Sequence, residues 1–292
     1  MDASRPPLLA VVGDLVEDVV VWASEPVRHG TDTAARVFRT RGGSAANVAA
    51  LAAPLVATRF IGCVGPDAAG EALVTELERR GVDVRVQRRG TTGAVVLVVD
   101  PDGERTMFPD RGASALLEAV DPAWLDGVDW LHVPSYGFER EPARSAVLAL
   151  IAEARQQGAG LSIDASSTGL LSALGVEHVL RLYRSLGPDV LFANETEAAL
   201  LGLGDGGPPT ADVAANVVVK HGPLPTQVFE GGRLIAEVPV EPVPGARDLT
   251  GAGDAFAAGF LAARLAGLAP AAAALAGHAA AAAVITAPGA AS

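Results

Sequence analysis

The chain has 292 residues, of which 50% are hydrophobic and 19% charged, and its formal net charge is −12. This length suits one large domain, and the small charged fraction argues against disorder. The acidic balance argues against sequence-independent nucleic-acid binding, which needs Lys and Arg against phosphates. Lys220 is the only lysine and is not preceded by glycine, which excludes a Walker A loop.

The cysteine content and the hydropathy of the sequence exclude further classes of protein. Cys63 is the only cysteine, so a disulfide framework and a Cys-rich zinc site are both excluded. No apolar stretch reaches the ~18–20 residues that a membrane span requires. We therefore expect a soluble, cytoplasmic protein whose partners are small molecules, with no nucleic-acid or membrane partner.

Short apolar runs alternate with helical patterns along the chain. The runs predict strands at Leu8–Val12, Arg59–Gly62, Trp130–Val133, Leu161–Asp164, Val190–Asn194 and Val217–Lys220. The helical patterns lie at Ala45–Leu55, Gly70–Arg80, Pro142–Gln157, Val176–Leu186 and Thr196–Leu201. This alternation predicts an α/β fold: a doubly wound, mostly parallel sheet with helices on both faces.

Two segments interrupt the alternation with strands that have no helix between them. The predicted strands are Asp18–Trp22, Ala34–Thr40, Val84–Arg88, Ala94–Asp100 and Glu104–Phe108. Strands joined by turns such as Pro101-Asp102-Gly103 suit a small antiparallel sheet. We predict a lid formed by about 14–40 and 84–110, inserted into one domain that spans residues 1–292.

The strongest motif runs from Asp248 to Phe256, with the sequence DLTGAGDAF, directly before an apolar helical stretch. Glycines before a helix let backbone N–H groups converge, and the helix N-terminus adds partial positive charge, so an anion can bind there without lysine. Asp254 in the first helical turn could take the proton of a hydroxyl that attacks phosphorus. Alternatively, Gly251 and Gly253 merely shape a turn and Asp254 caps the helix.

A second glycine motif, GGSAAN, begins at Gly42 and also opens a helix. Paired glycines permit close approach of a ligand, and Asn47 offers a donor and an acceptor to hydroxyl groups. Alternatively, the motif is a turn with Ser44 as the helix N-cap. Asp18, in an otherwise apolar strand, either faces solvent or binds a polyol.

The third motif is Asn194-Glu195-Thr196-Glu197, at the end of a predicted strand. Ligands of open α/β sheets gather at the carboxyl ends of strands, so these groups could hold a metal-bound nucleotide. A capping box, with Asn194 as N-cap and Glu197 at the third helical position, explains the spacing nearly as well.

Together these motifs resemble the ribokinase-like (PfkB) family of carbohydrate and nucleoside kinases. Three ordered segments carry the resemblance: GGSAANVAA from Gly42 with RFIGCVGPDAAGEAL from Arg59, NETEAALL from Asn194, and DLTGAGDAFAAGF from Asp248. The closing HAAAAAVITAPGA from His278 is similar to the family's last helix. The resemblance implies a parallel sheet core with a small strand lid, and the phosphorylation of a hydroxymethyl group by ATP.

The resemblance also implies a role for each matching residue. Asp254 would be the base, and Gly251, Ala252 and Gly253 would form the anion hole. The residues implied to bind the substrate are Asp18, Gly42, Gly43 and Asn47. Those implied to bind the nucleotide are Asn194, Glu197, Lys220, Gly222 and His278, with Glu197 acting indirectly on Mg²⁺. A monovalent cation site, for K⁺, is implied at Asp248 and Thr250 with carbonyls near residues 287–289.

Departures from the ribokinase pattern leave the substrate open. Val16 replaces a polar Asn, Ser44 replaces a Lys, and Pro225 replaces a glycine of the family pattern. The sugar-kinase segment D-x-N-x-R here begins at Asp164 but ends in Thr168. The alternatives are therefore a sugar kinase, a nucleoside kinase, or a catalytically silent binding protein. Exposed lid strands would suit a homodimer formed through the lid.

Overall fold

The computed structural model describes residues 5–204, 207–243 and 250–286. Within these ranges a nine-stranded sheet has the order β13-β12-β11-β10-β9-β8-β1-β4-β5, and a four-stranded sheet has the order β3-β2-β6-β7. The strands are β1 Leu8–Val12, β2 Val16–Ala23, β3 Ala35–Gly42, β4 Ala57–Val64, β5 Asp83–Arg88, β6 Thr92–Val99, β7 Arg105–Gly112, β8 Trp130–Pro134, β9 Gly160–Asp164, β10 Val190–Asn194, β11 Asn216–His221, β12 Leu224–Glu230 and β13 Arg233–Val238.

Helices cover both faces of the large sheet, as predicted. They are α1 Ser44–Ala52, α2 Ala68–Arg79, α3 Ala143–Gln156, α4 Thr168–Leu174, α5 Val176–Leu186, α6 Glu195–Leu201, α7 Ala252–Leu265 and α8 Pro270–Thr286. Two apolar clusters separate the faces: α1, α2, α7 and α8 pack in one, and α3 to α6 in the other. None of the helices in the described ranges is long and apolar enough to cross a membrane.

The central strand β1 shows why the sequence folds into this layered arrangement. Its residues are apolar on both faces, so alternate side chains enter different cores. Leu9 and Val11 pack in the cluster with α1 and α7, whereas Ala10 and Val12 pack in the cluster with α3. All four are fully buried, and a strand buried on both sides is the reason for an unbroken apolar run.

The strand predicted in the lid at Val84–Arg88 lies instead in the large sheet. It is part of β5, which pairs in parallel with β4 and forms the edge of that sheet. An edge strand is half-exposed and alternates in polarity, as a lid strand does, so the sequence pattern does not distinguish them. Strands β12 and β13, which add two antiparallel members at the opposite edge, were not predicted.

The four-stranded small sheet combines both discontinuous segments of the chain. Its outer pairs, β2 with β3 and β6 with β7, are antiparallel hairpins. The two hairpins join along β2 and β6, which run parallel. This union places Asp18 in β2 beside Val95 in β6 and opposite Thr40 in β3.

A buried histidine links β8 to β9 in the core of the large sheet. His132 is fully buried, its Nδ1 lies 2.8 Å from Ser162 Oγ, and Trp130 Nε1 donates to the same oxygen at 3.0 Å. The His132 ring also meets the Phe192 ring edge-on, with the centroids 6.0 Å apart. Burial away from water lowers the pKa of His132 to about 4, against the ordinary 6.5.

The low pKa of His132 makes the fold less stable in acid. Because the unfolded chain binds a proton at His132 below pH 6.5 and the folded chain does not until about pH 4, its contribution to stability falls as the pH drops through that window. Over that window the free energy of unfolding falls by about 3 kcal/mol. We expect His132→Gln to flatten this part of the curve of unfolding free energy against pH from urea titrations. An unchanged slope between pH 6.5 and 4 would contradict the assignment.

Candidate active site

A cleft of about 1400 Å³ lies between the small sheet and the carboxyl ends of the large sheet's strands. The ends of β9, β10 and β11 and the N-termini of α1 and α7 converge on it, as expected for an open α/β sheet. Most of the predicted site residues line this cleft: Asp18, Gly43, Asn47, Asn194, Glu197, Lys220, Gly222, Thr250, Gly251, Ala252, Gly253, Asp254 and His278. Gly42 lies directly beside Asp18, and Asp248 falls outside the described residues.

Asp254 lies in the first turn of α7, where it faces the start of α1. Its Oδ1 accepts a hydrogen bond from Ser44 Oγ at 2.6 Å, and its Oδ2 accepts one from Asn47 Nδ2 at 2.9 Å. Burial raises the pKa of Asp254 to about 6, and the two hydrogen bonds oppose that rise. The N-cap is Gly251, at φ +78°, with no side-chain cap. The helix-capping alternative for Asp254 is therefore wrong.

Gly43 lies directly before α1, at a position that no other residue fits well. Its φ is +94°, and a Cβ there would lie 2.4 Å from the carbonyl oxygen of Asp14. Gly43 itself is the N-cap, so the alternative in which Ser44 caps α1 is also wrong. Ser44 instead begins the helix with its hydroxyl aimed at Asp254, a role that the sequence analysis did not assign to it.

Asp18 is half-buried and enters the cleft from the small sheet. Burial raises its pKa to about 6, while the nearby Arg41 guanidinium lowers it and the Asp254 carboxylate raises it. Arg41 also donates to Asn47 Oδ1 and, at 3.3 Å, to Glu76 Oε1. Asp18 and Asp254 therefore share one electrostatic environment, and the solvent-facing alternative for Asp18 is wrong.

Asn194 and Glu197 form the capping box that the sequence spacing suggested. Asn194 Oδ1 accepts from the Glu197 backbone N–H at 2.9 Å, and Glu197 Oε2 accepts from the Asn194 N–H at 2.9 Å. Glu197 Oε1 also accepts from Asn194 Nδ2 at 2.8 Å. Burial and the Asp164 carboxylate raise the pKa of Glu197. The box holds an acidic group rigidly at the cleft floor.

Lys220 is the second-last residue of β11 and pairs with a carboxylate from the end of β9. Its Nζ donates to Asp164 Oδ2 at 3.0 Å, and both side chains are largely buried, at 16% and 13% exposure. Burial lowers the pKa of Lys220, but the carboxylates of Asp164, Glu197 and Asp254 outweigh that cost and hold it above its ordinary value. In the sequence, Asp164 ends a predicted strand and begins a segment that departs from the family pattern, and neither feature reveals this ion pair.

The far wall of the cleft, between β12 and α8, is mostly apolar. His278 Nε2 lies 2.8 Å from Thr226 Oγ, and the His278 ring is tilted against Phe256 with centroids 5.3 Å apart. Gly222, at φ +60°, turns the chain out of β11 beside this wall. Other apolar lining residues of this wall include Pro223, Pro239, Val240, Leu275, Ala279, Ala282 and Ile285.

The opposite end of the cleft carries a charged cluster that the sequence did not reveal. Arg111, at the end of β7, donates to Asp14 Oδ2 and, at 3.0 Å, to Glu139 Oε2. Its guanidinium lies 3.8 Å from the centroid of the Tyr136 ring. Asp14, Arg111 and the segment that holds Tyr136 and Glu139 are widely separated in sequence and belong to none of the motifs, so only the tertiary fold could bring them together.

Two further predictions concern cations. Thr250, one of the residues predicted for a monovalent cation, accepts a hydrogen bond from Arg105 Nη1 at 2.7 Å. Residues 287–289, predicted to supply carbonyls, lie with Asp248 outside the described ranges. Within those ranges, no group of three or more His, Cys, Asp or Glu side chains is arranged to hold a metal ion.

Residues 7–292 match the model of the pfkB family carbohydrate kinases. The chain is 34% identical to an ATP-dependent ribose-1-phosphate kinase of Halopiger xanaduensis over 76% of this chain and 72% of the relative. It is 31% identical to a fructokinase of Klebsiella pneumoniae over 86% and 82%, respectively. A putative ribokinase II from Escherichia coli, solved with ATP and Mg²⁺, has the same fold, with a TM-score of 0.83 at 22% identity over 98% and 94% of the two chains.

Proposed function

Because the chain belongs to the pfkB family of carbohydrate kinases, we propose that it transfers the γ-phosphoryl group of ATP to a hydroxymethyl group of a sugar or related small molecule. One observation carries this proposal. Asp254 presents a carboxylate beside the N-terminus of α7, held by Ser44 and Asn47 and with its pKa raised to about 6. A base with a pKa just below the working pH is suited to accept a hydroxyl proton.

The residues around α7 divide the chemistry between them. The first backbone N–H groups of a helix have no intrahelical partner, so those that follow Gly251 can bind phosphoryl oxygens. As the acceptor oxygen bonds to the γ-phosphorus, its proton passes to Asp254 Oδ and the bond to ADP breaks. Ser44 and Asn47 fix the orientation of the receiving carboxylate throughout.

A magnesium ion is the general partner of such a transfer, and the residues at the cleft floor fit its preferences. Mg²⁺ keeps several waters and binds through one or two carboxylates and the phosphates, without a dedicated protein cage. Glu197 is an oxygen donor held at the cleft by Asn194, so these two residues would hold hydrated Mg²⁺ indirectly. When bound, the ion neutralises phosphate charge.

The acceptor end of the cleft is formed by the small sheet, which we propose acts as its lid. Asp18 projects from β2, and Gly42 leaves room for its carboxylate. Asn47 and the backbone near Gly43 offer further polar groups. Carboxylate and amide groups bind hydroxyls through charge-assisted hydrogen bonds, which favours a polyhydroxylated acceptor. A nucleoside presents the same ribose hydroxyls and remains the second candidate.

A screen of ATP consumption tests the proposal directly. We would incubate the full chain with Mg-ATP and a panel of ketoses, aldoses, pentoses, sugar phosphates and nucleosides, and follow ADP release with acceptor-free controls. We expect turnover with at least one neutral sugar. Turnover confined to nucleosides would select the second candidate, and binding without turnover for every acceptor would instead identify a catalytically silent binding protein.

We also propose that K⁺ activates the enzyme through Asp248, Thr250 and the carbonyls of residues 287–289. The position of Thr250, at the loop that precedes Gly251, supports this proposal, because a cation bound there would reach the anion-binding turn. We expect several-fold higher kcat in KCl than in LiCl at equal ionic strength. Equal rates in the two salts would remove the proposal.

The small sheet also leaves large apolar side chains exposed. Val37 and Phe108 are 59% and 58% exposed, and both lie on outer strands of that sheet, β3 and β7. We propose that two copies of the chain pair through these strands. Sedimentation equilibrium would show a dimer, and a monomer at micromolar concentration would contradict the pairing.

We further propose a cytoplasmic location, supported by the single, buried Cys63.

A further inference from the structure

The one lysine of the chain lies against the turn that begins α7. A Cβ built on Gly253 would lie 3.4 Å from Lys220 Nζ, so the ammonium is beside the backbone N–H groups that follow Gly251. Its present partner is Asp164 Oδ2 at 3.0 Å. Lys220 thus approaches the predicted anion site from the sheet, while Asp254 approaches it from α7.

The charges around this point are strongly unbalanced. The carboxylates of Asp164, Glu197 and Asp254 all act on Lys220 and hold its pKa above the ordinary value despite burial. The ammonium therefore stays charged throughout the working pH range. Three carboxylates and one ammonium would repel a triphosphate, so the cation is needed wherever the phosphates come closest to the carboxylates.

We propose that the Lys220 ammonium binds the phosphoryl group during its transfer, exchanging its contact with Asp164 for one with the phosphoryl oxygens. The proposal rests on the proposed function and adds a catalytic residue to it. The acceptor O–P bond forms, the P–O bond to ADP breaks, and the acceptor proton goes to Asp254. Lys220 keeps its proton and offsets the negative charge that develops on the transferred group and on ADP.

The position of Lys220 favours this role over recognition of the base or sugar of the nucleotide. Its Nζ lies beside Gly253 in the first turn of α7, whereas the apolar wall around His278 forms a different part of the cleft. The side chain is also restrained, because it is largely buried near the end of β11 and ion-paired. A side chain that is already held in place needs little rearrangement when negative charge develops on the transferred phosphoryl group.

The test compares Lys220→Met and Lys220→Arg with the wild-type chain. We expect Lys220→Met to lower kcat by about 10²- to 10³-fold, with the KM for ATP changed far less. We expect Lys220→Arg to recover part of that loss. Because Met leaves the largely buried Asp164 carboxylate without its cationic partner, the double variant Asp164→Asn with Lys220→Met serves as the folding control, and its kcat should remain as low as that of Lys220→Met.

A binding measurement distinguishes a contact of Lys220 with the transferred phosphoryl group from a contact with the nucleotide. We would titrate each variant with MgADP alone and with MgADP plus aluminium fluoride, which mimics the phosphoryl group in transfer. Lys220→Met should lose affinity for the aluminium fluoride complex by a factor similar to its loss in kcat, and should bind MgADP nearly as the wild type does. Equal losses for both ligands would overturn the proposal, as would a kcat within about threefold of wild type.

These outcomes are distinct from failure of the proposed function. If the wild-type chain phosphorylates no acceptor in the panel, the function itself is wrong. If the wild type transfers phosphate and Lys220→Met does so equally well, only the role of Lys220 is wrong.

Discussion

Asp254→Asn is expected to lower kcat by about 10²- to 10⁴-fold, the usual contribution of a positioned general base, while the KM for ATP stays within a few-fold of wild type. The amide has the shape of the carboxylate but cannot take a proton. Its oxygen can accept from Asn47, and its NH₂ can donate to the Ser44 hydroxyl, so the local geometry of the two observed contacts is retained. Steady-state kinetics with the accepted sugar would measure the loss.

The stability of this variant provides an independent check. The folded-state pKa of Asp254 is raised to about 6 from an ordinary 3.8, so its contribution to stability is present below pH 4 and is lost as the pH rises through 6. Asn carries no charge and removes that penalty. Above pH 6 we therefore expect Asp254→Asn to unfold at a Tm equal to or higher than wild type. A lower Tm would mean that lost activity reflects a damaged fold.

Asp18→Asn is the matched control, because the pKa of Asp18 is also raised to about 6 and its side chain enters the same cleft. We assign Asp18 to acceptor binding, so its replacement should act mainly on the KM for the acceptor. If the two variants lost kcat equally, Asp254 would have no distinct role as the base.

Gly42→Ala is expected to lower kcat/KM for the acceptor by about 10- to 100-fold, the equivalent of one charge-assisted hydrogen bond. A Cβ at this position would lie 2.0 Å from Asp18 Oδ1 and 2.6 Å from Oδ2. Because Gly42 ends β3 and Asp18 belongs to β2 of the same small sheet, the carboxylate must move out of its place to admit the methyl group. The KM for ATP should change little.

A double-mutant cycle tests whether this effect passes through Asp18. In an Asp18→Ala background the carboxylate is absent and the added Cβ meets no obstacle from it, so Gly42→Ala should then have little further effect on kcat/KM. Equal effects of Gly42→Ala with and without Asp18 would show that the glycine acts on the backbone of the turn instead.

The layered core was predictable because its strands are buried on both faces. Five-residue runs such as Leu8–Val12 and Val190–Asn194 coincide with β1 and β10, since only a central parallel strand tolerates apolar residues at consecutive positions. The edges were less predictable. β5 alternates in polarity and was placed in the wrong sheet, and β12 and β13 are partly exposed antiparallel strands with no strong apolar run.

Some features of the site could likewise be predicted from the sequence, and others could not. The glycine motifs at Gly42 and Gly251 could be identified because a backbone that approaches a ligand closely or begins a helix in the left-handed region requires residues without a side chain. The residues that Asp254 contacts could not be derived, because Ser44 and Asn47 are about 210 residues away in sequence. Their contact depends on how α1 and α7 pack.

The charged groups around the cleft show the same limit. A lone lysine gives no signal of its partner, and the Lys220–Asp164 pair arises because β9 and β11 flank β10 in the sheet. The cluster of Arg111 with Asp14 and Glu139 likewise joins the small sheet to the large one. Sequence motifs therefore locate the backbone of the site, and the tertiary fold determines its electrostatics.

One measurement tests the central claim most directly: transfer of the labelled γ-phosphoryl group of ATP to an accepted sugar in a single turnover, by the wild type and by Asp254→Asn. We predict that the wild type forms a labelled phosphate ester at the sugar's hydroxymethyl group, which ³¹P NMR would locate, and that the variant binds ATP but forms almost none. Equal ester formation by the two proteins would contradict the account.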